Sequence, residues 1–111
     1  MIIKGHRIET KIEGKTFIDL ISEYKDKEIN CTSHTFFRLS EKQRTFFKCE
    51  ELKEYILNEV PLVVGIQFNK NYTVYYKHKK KDILRLILEI KLDKIEIVTF
   101  YIIDEKQMPK Q

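Results

Sequence analysis

The sequence contains no tryptophan and no alanine, and only three glycines, two prolines and two cysteines in 111 residues. Two cysteines are too few for a disulfide framework in a chain of this length, so Cys31 and Cys49 read as small buried hydrophobes in a reducing compartment. The longest apolar runs, Leu62 to Ile66 and Val98 to Ile103, fall far short of a bilayer span, and Met1-Ile2-Ile3-Lys4-Gly5 does not read as a secretory leader. The expectation is a cytoplasmic protein with no membrane partner. The scarcity of glycine also bears on cofactors. Gly14-Lys15-Thr16 lies between a predicted strand and a predicted helix, where a phosphate loop ends, but Glu9 occupies the position of that loop's first glycine. No Gly-x-Ser-x-Gly elbow occurs. Of Cys31, His34, Cys49 and His6, only Cys31 and His34 have a ligand-like spacing, whereas structural zinc sites come as two tight pairs. No metal or other cofactor is expected.

What is present is a chain 42% apolar and 34% charged, enough for one core and one domain over residues 1–111. Within it, 1–32 form a strand and helix element, 33–104 the main body and 105–111 a tail. The net charge is +4. Seventeen lysines against four arginines, with sixteen isoleucines, is a bias that genome base composition or a thermophile's Lys/Glu-rich surface also produces. The excess is local. Every segment balances except 60–82, where Lys70, Lys77, Lys79, Lys80 and Lys81 face only Asp82. A second basic spot, Arg38, Lys42, Arg44 and Lys48, faces only Glu41.

Periodicity supplies the elements. His6, Ile8, Thr10 and Ile12 alternate with charged residues, the pattern of a strand with one wet face. Phe17, Leu20, Ile21 and Tyr24 fall at helical spacing behind a Thr16 cap, so 16–26 reads as a helix. Ile29 to Thr32 reads as a short extended segment. Ser33 is placed to cap a helix over 34–43 that buries Phe36, Phe37 and Leu39, with a break possible at Ser40. Leu52, Tyr55, Ile56 and Val60 form the stripe of another helix, stopped by Pro61. From Leu62 onward the period is two, giving four strands over 62–68, 72–78, 83–92 and 95–104, whose short connections force an antiparallel meander. With Asp93-Lys94 as a two-residue turn, Leu88 faces Thr99 and Leu86 faces Tyr101 on the core side, while Lys91 pairs with Glu96 on the reverse. That reverse face, with Arg85, Ile87, Glu89, Val98, Phe100 and Ile102, is too apolar for bare solvent, so the N-terminal segment or a partner must cover it.

Two constellations carry chemistry. Lys77 to Asp82 is a charged hairpin tip, either a solvated turn that guards apolar edges or a phosphate contact made by Lys79, Lys80 and Lys81. Tyr72 and Tyr76 share a face, and Tyr76 should lie near Arg85, as a base-stacking pair or a cation–π rung. His34, Arg38 and Lys42, four apart on the predicted helix, form one row extended by Arg44. A histidine in a first helical turn has its pKa lowered by the dipole, which keeps it neutral and able to accept a proton beside two fixed cations. That set suits metal-independent RNA cleavage, although a solvated helix face has the same pattern.

Two helices followed by a four-stranded antiparallel meander, with His34, Arg38 and Lys42 opening the first helix and Ile-Val-Thr-Phe-Tyr at 97–101 in the last strand, resemble the RelE/ParE-like toxin superfamily and the wider barnase, EndoU, colicin and RelE nuclease group. The resemblance covers residues 33–104. It implies an α+β fold in which an N-terminal strand and helix and two further helices precede the four-stranded sheet. It also implies a ribonuclease without metal, using His34, Arg38 and Thr99, with Lys42 and Arg85 as additions. RNA, a cognate antitoxin protein and a second copy of the chain are the partners that this reading and the uncovered sheet face suggest. The chain has only Arg85 where the ribosome-dependent branch is arginine-rich. The alternative is a non-catalytic nucleic-acid-binding or protein-interaction module that uses the lysine tip, Tyr76 and Arg85.

Overall fold

A computed structural model describes residues 8–108 except 38 and 40. Six strands and three helices follow in the order β1 (Ile8–Ile12), α1 (Gly14–Ile21), β2 (Ile29–Cys31), α2 (Glu41–Arg44), α3 (Cys49–Asn58), β3 (Val63–Gln67), β4 (Tyr72–Lys79), β5 (Asp82–Ile90) and β6 (Ile95–Asp104). The meander from β3 to β6 forms as its period-two pattern requires. The expected four-stranded antiparallel sheet is nevertheless incorrect. β1 adds antiparallel to β3 and β2 adds parallel to β6, so the sheet is six-stranded and mixed in the order β1-β3-β4-β5-β6-β2. The architecture is still α+β.

One side of the sheet carries the core. Val64, Val74, Leu86 and Phe100 form a continuous rung across four strands. They pack with Leu84, Leu88, Ile95 and Ile97 against Phe17 and Ile21 of α1 and Leu52 and Ile56 of α3. α1 begins at Gly14, two residues before the expected cap, and ends at Ser22, whose hydroxyl donates to the Asp19 carbonyl. α3 keeps its Leu52 and Ile56 stripe and stops before Pro61, which cannot continue a helix.

The turn after β5 is longer than the expected two residues. Lys91 N–H donates to the Lys94 carbonyl, Ile90 pairs with Ile95, and Leu92 is fully exposed at the tip. The Lys91–Glu96 ion pair forms, although Glu96 lies opposite Glu89. It raises the Lys91 pKa and lowers that of Glu96, chiefly through the hydrogen bond between them.

A bulge decides what faces where. Leu88 pairs with Ile97 but Ile87 pairs with Thr99, so Val98 is the extra residue and every side chain after it swaps sides. Thr99 and Tyr101 therefore leave the expected core face, and Phe100 joins it. The second face has its own rungs, Val63-Tyr75-Arg85-Tyr101 and Gly65-Thr73-Ile87-Thr99. Ile8, Ile103 and Met108 pack over Val63, Tyr75 and Ile83. Residues near both ends of the described chain thus cover part of the face that the sequence left too apolar.

Two further expectations fail. Cys31 and Cys49 are joined in a disulfide with Cα atoms 6.0 Å apart, because the end of β2 and the start of α3 meet. The helix over 34–43 does not form. Residues 33–37 turn instead, and the helix resumes only for the four residues of α2. Phe37, expected in the core, is 69% exposed.

Candidate functional site

The turn that replaces the predicted helix is held by hydroxyls. Thr32 Oγ1 accepts the His34 N–H at 3.1 Å, and Thr35 Oγ1 accepts the Thr32 N–H at 2.8 Å. Thr35 is buried, and its hydroxyl donates to the Ile97 carbonyl at 2.6 Å, beside the Val98 bulge. A bulge disrupts the ladder locally, and the threonine supplies a donor there. Arg44 closes the turn from the other side, donating from Nε to the Phe36 carbonyl at 2.8 Å and from its terminal nitrogen to Phe37 at 2.9 Å. The side chains of Thr32, Thr35 and Arg44 thus convert a stretch of helical composition into a fixed loop.

Between this loop and the Gln67–Asn71 end of the sheet lies an open cleft of 560 Å³. His34, Phe37 and Gln43 form one wall, Asn69 and Asn71 another, and Gln67, Thr99 and Tyr101 come from the second face of the sheet. Gln67 is completely buried, while His34 and Phe37 are exposed. Among the described residues no carboxylate lines the cleft. The His34 ring meets the Phe37 ring edge-on, with centroids 6.0 Å apart. Lys70 sits between the two lining asparagines, with φ at 72°, the left-handed conformation that lets the β3–β4 connection turn tightly. Lys42 and Arg44 flank Gln43 in α2.

His34 and Thr99, nominated from sequence, therefore line the same cavity, although the route differs from the one expected. Thr99 reaches it from the second face, not the helix-covered one. The predicted row of His34, Arg38 and Lys42 is not built. His34 lies in a turn, so the helix N-terminus its dipole argument needed is missing, and Lys42 lies in a separate short helix. Arg38 falls outside the described residues. Arg44 is engaged with two carbonyls and shapes the loop.

Arg85 occupies the neighbouring rung. Its guanidinium lies 5.7 Å from the ring centroids of both Tyr75 and Tyr101, and Nε donates to Thr73 Oγ1 at 3.0 Å. The expected neighbour Tyr76 is elsewhere. It faces the core opposite Leu84 and is 1% exposed, and burial pushes its hydroxyl pKa well up. That burial removes Tyr76 from any surface for nucleic acid.

The lysine tip is separate from the cleft. The two lie at opposite ends of β4, whose eight residues span roughly 25 Å at about 3.3 Å each. Lys79, Lys80 and Lys81 are exposed, but Asp82 pairs with Asp104 beside them and the Glu105 N–H donates to the Lys81 carbonyl at 2.8 Å. Acidic residues thus adjoin the tip. Next to it, Tyr55 Oη and His78 Nδ1 are 2.9 Å apart. The His78 pKa is lowered, first by burial and then by Lys79, with Asp82 opposing.

Sequence reasoning missed Thr35, Gln43, Gln67, Asn69, Asn71 and Tyr101 as contributors to the site. The asparagines carried a signal, since they flank Lys70 in the predicted turn. Among the described residues no group of three or more His, Cys, Asp or Glu side chains is placed to hold a metal, and no helix is long and apolar enough to cross a membrane. No family model, curated protein or solved structure matches the chain.

Proposed function

We propose that the chain binds single-stranded RNA in the cleft between the His34 turn and the Gln67–Asn71 end of the sheet. The observation that carries this reading is the lining. Amides from Gln43, Asn69 and Asn71 and the Thr99 hydroxyl offer donors and acceptors suited to base edges, and Phe37 and Tyr101 offer aromatic rings. The absence of carboxylates among the described lining residues avoids repelling phosphate, and Lys42 and Lys70 are chain neighbours of the lining residues Gln43, Asn69 and Asn71 and add positive charge near the cleft. Phe37 is the residue to test, because it is exposed and its removal should leave the fold intact. Stacking on an aromatic is worth ~1–3 kcal/mol per base, so Phe37→Ala should weaken binding of a labelled single-stranded oligonucleotide by roughly tenfold or more. Equal affinity of the two proteins would overturn the proposal.

A second reading is metal-independent RNA cleavage of toxin type at this cleft. It is favoured by the presence of His34 and Thr99 in the lining of one cavity and by the resemblance to RelE/ParE-like toxins. Here His34 moves the proton, Thr99 positions the substrate, and Arg38 and Lys42 supply charge. Incubation with RNA in EDTA decides it: cleavage lost in His34→Ala supports it, and no cleavage by the unaltered protein removes it. A cognate antitoxin would belong to that reading. A homodimer through the sheet face would show as a doubled mass in light scattering at micromolar concentration.

A further inference from the structure

The cleft wall is a closed ring. Cys31 and Cys49 are 18 residues apart in sequence, and the segment between them carries His34, Phe37, Leu39 and Gln43, the contribution of this loop, among the described residues, to the cavity. Its one short helix, α2, buries no side chain. Among the described residues the segment is tied to the body by the Thr35 bond to Ile97, by the packing of Phe36, Leu39 and Phe47 on the core, with Phe36 and Phe47 against the Phe100 ring, and by the disulfide at its base. Both cysteines are half-buried at the edge of the core.

We infer that the Cys31–Cys49 disulfide is a thiol-exchange switch that sets the order of the cleft wall. The co-reactant is a low-molecular-weight thiol of the glutathione class. Its thiolate attacks Cys31 Sγ, a bond forms between those sulfurs, and the Cys31–Cys49 bond breaks with its electron pair leaving on Cys49 Sγ. That sulfur already accepts the Cys31 backbone N–H at 3.2 Å and belongs to the first residue of α3, at the positive end of the helix dipole. Glu50 and Glu51 in the same turn oppose the effect, but the Glu51 carboxylate is committed to the Lys48 N–H at 2.9 Å. A second thiolate attacks the external sulfur of the mixed disulfide and releases the Cys31 thiolate. Two small thiols are thereby oxidised to their disulfide, and the protein disulfide is reduced to two thiols that take up the two protons. With the ring open, residues 32–48 lose the tether that restricts their conformations.

The consequence for RNA rests on the proposed function, but the switch does not. The oxidised full-length protein is treated with glutathione, quenched with an alkylating agent and mapped by peptide mass spectrometry, and amide exchange is compared in the oxidised and reduced forms. A mixed disulfide on Cys31, with exchange over 32–48 faster by about tenfold and below the ~100-fold ceiling that closing a ring of this size sets, is the expected result. Amides of β5 should stay protected in both forms, showing that the fold persists. A glutathione adduct on Cys49 would overturn the assigned leaving sulfur, and unchanged exchange over 32–48 in the reduced protein would overturn the switch. The Cys31→Ser/Cys49→Ser protein should match the reduced form. Failure of both redox forms to bind RNA, with these exchange results intact, would count against the proposed function alone.

Discussion

Replacing Thr35 by valine removes one oxygen and little else. Thr35 is 1% exposed, and its hydroxyl both donates to the Ile97 carbonyl at 2.6 Å and accepts from Thr32 N–H at 2.8 Å. Valine keeps the shape, so the packing term is small. What is lost is two hydrogen bonds, with a buried carbonyl and an amide left without that partner. Each bond is worth ~0.5–1.5 kcal/mol net, and an orphaned buried group costs more, so Thr35→Val should destabilise the fold by about 2–3 kcal/mol. In a domain near 100 residues that corresponds to a fall in Tm of roughly 10 °C. Urea unfolding followed by circular dichroism should show a lower midpoint with the slope unchanged, because the surface exposed on unfolding is the same. The His34 turn should also loosen, so RNA affinity should drop well below the stability threshold concentration of denaturant. Thr35→Ser, which retains the oxygen, should recover most of both losses. A Thr35→Val protein within about 0.5 kcal/mol of the original would refute the assignment of this hydroxyl as the tie between the loop and the bulged strand.

Three other outcomes follow from the packing and the charges. Leu52→Ala empties a fully buried position of α3 against the sheet, and should cost about 2–5 kcal/mol by chemical denaturation. Gly65→Ala places a Cβ 2.8 Å from Ile8 Cγ2, a near and branched atom that must shift, so it should cost about 1–3 kcal/mol. The loss should appear first as faster amide exchange in β1, and unchanged protection there would contradict the register. His78 has its pKa lowered below the ordinary 6.5 by burial and Lys79, so the unfolded chain binds its proton first as pH falls. Its contribution is therefore complete above pH 6.5 and is lost as pH falls from there through the lowered folded value. His78→Gln should flatten that part of the stability profile, and an unaltered slope would exclude His78 as its source.

The legibility of this fold tracks how local each determinant is. Four strands were readable because polar turn segments at 69–71, 79–82 and 93–94 punctuate the β-branched and aromatic runs from Leu62 onward, and Pro61 marked the end of α3 whatever lay elsewhere. The partners of β1 and β2 were not readable, since Ile12 meets Val64 and Cys31 meets Ile97 only after the meander has formed. The bulge at Val98 was hidden for a different reason. From Ile95 to Ile103 both sides of the strand are apolar enough to be buried, so alternation carries no information about which side is inward. One inserted residue then reversed Thr99, Phe100 and Tyr101. Residues 34–43 have helical spacing, but the competing hydroxyl bonds of Thr32 and Thr35 and the Arg44 reach to Phe36 and Phe37 win there. The decisive bond, Thr35 to Ile97, joins residues 62 apart in the chain. His34 and Thr99 do line one cavity, whereas Tyr76 was assigned to a surface and lies in the core.

The cleft is the central element of the account, and a titration of isotope-labelled protein with a short single-stranded RNA, followed by amide and side-chain resonances, tests it most directly. Shifts should concentrate on His34, Phe37, Gln43, Gln67, Asn69, Asn71, Thr99 and Tyr101, saturate at one site, and weaken as salt rises. Shifts confined to Lys79, Lys80 and Lys81, or no shifts at all, would contradict the assignment.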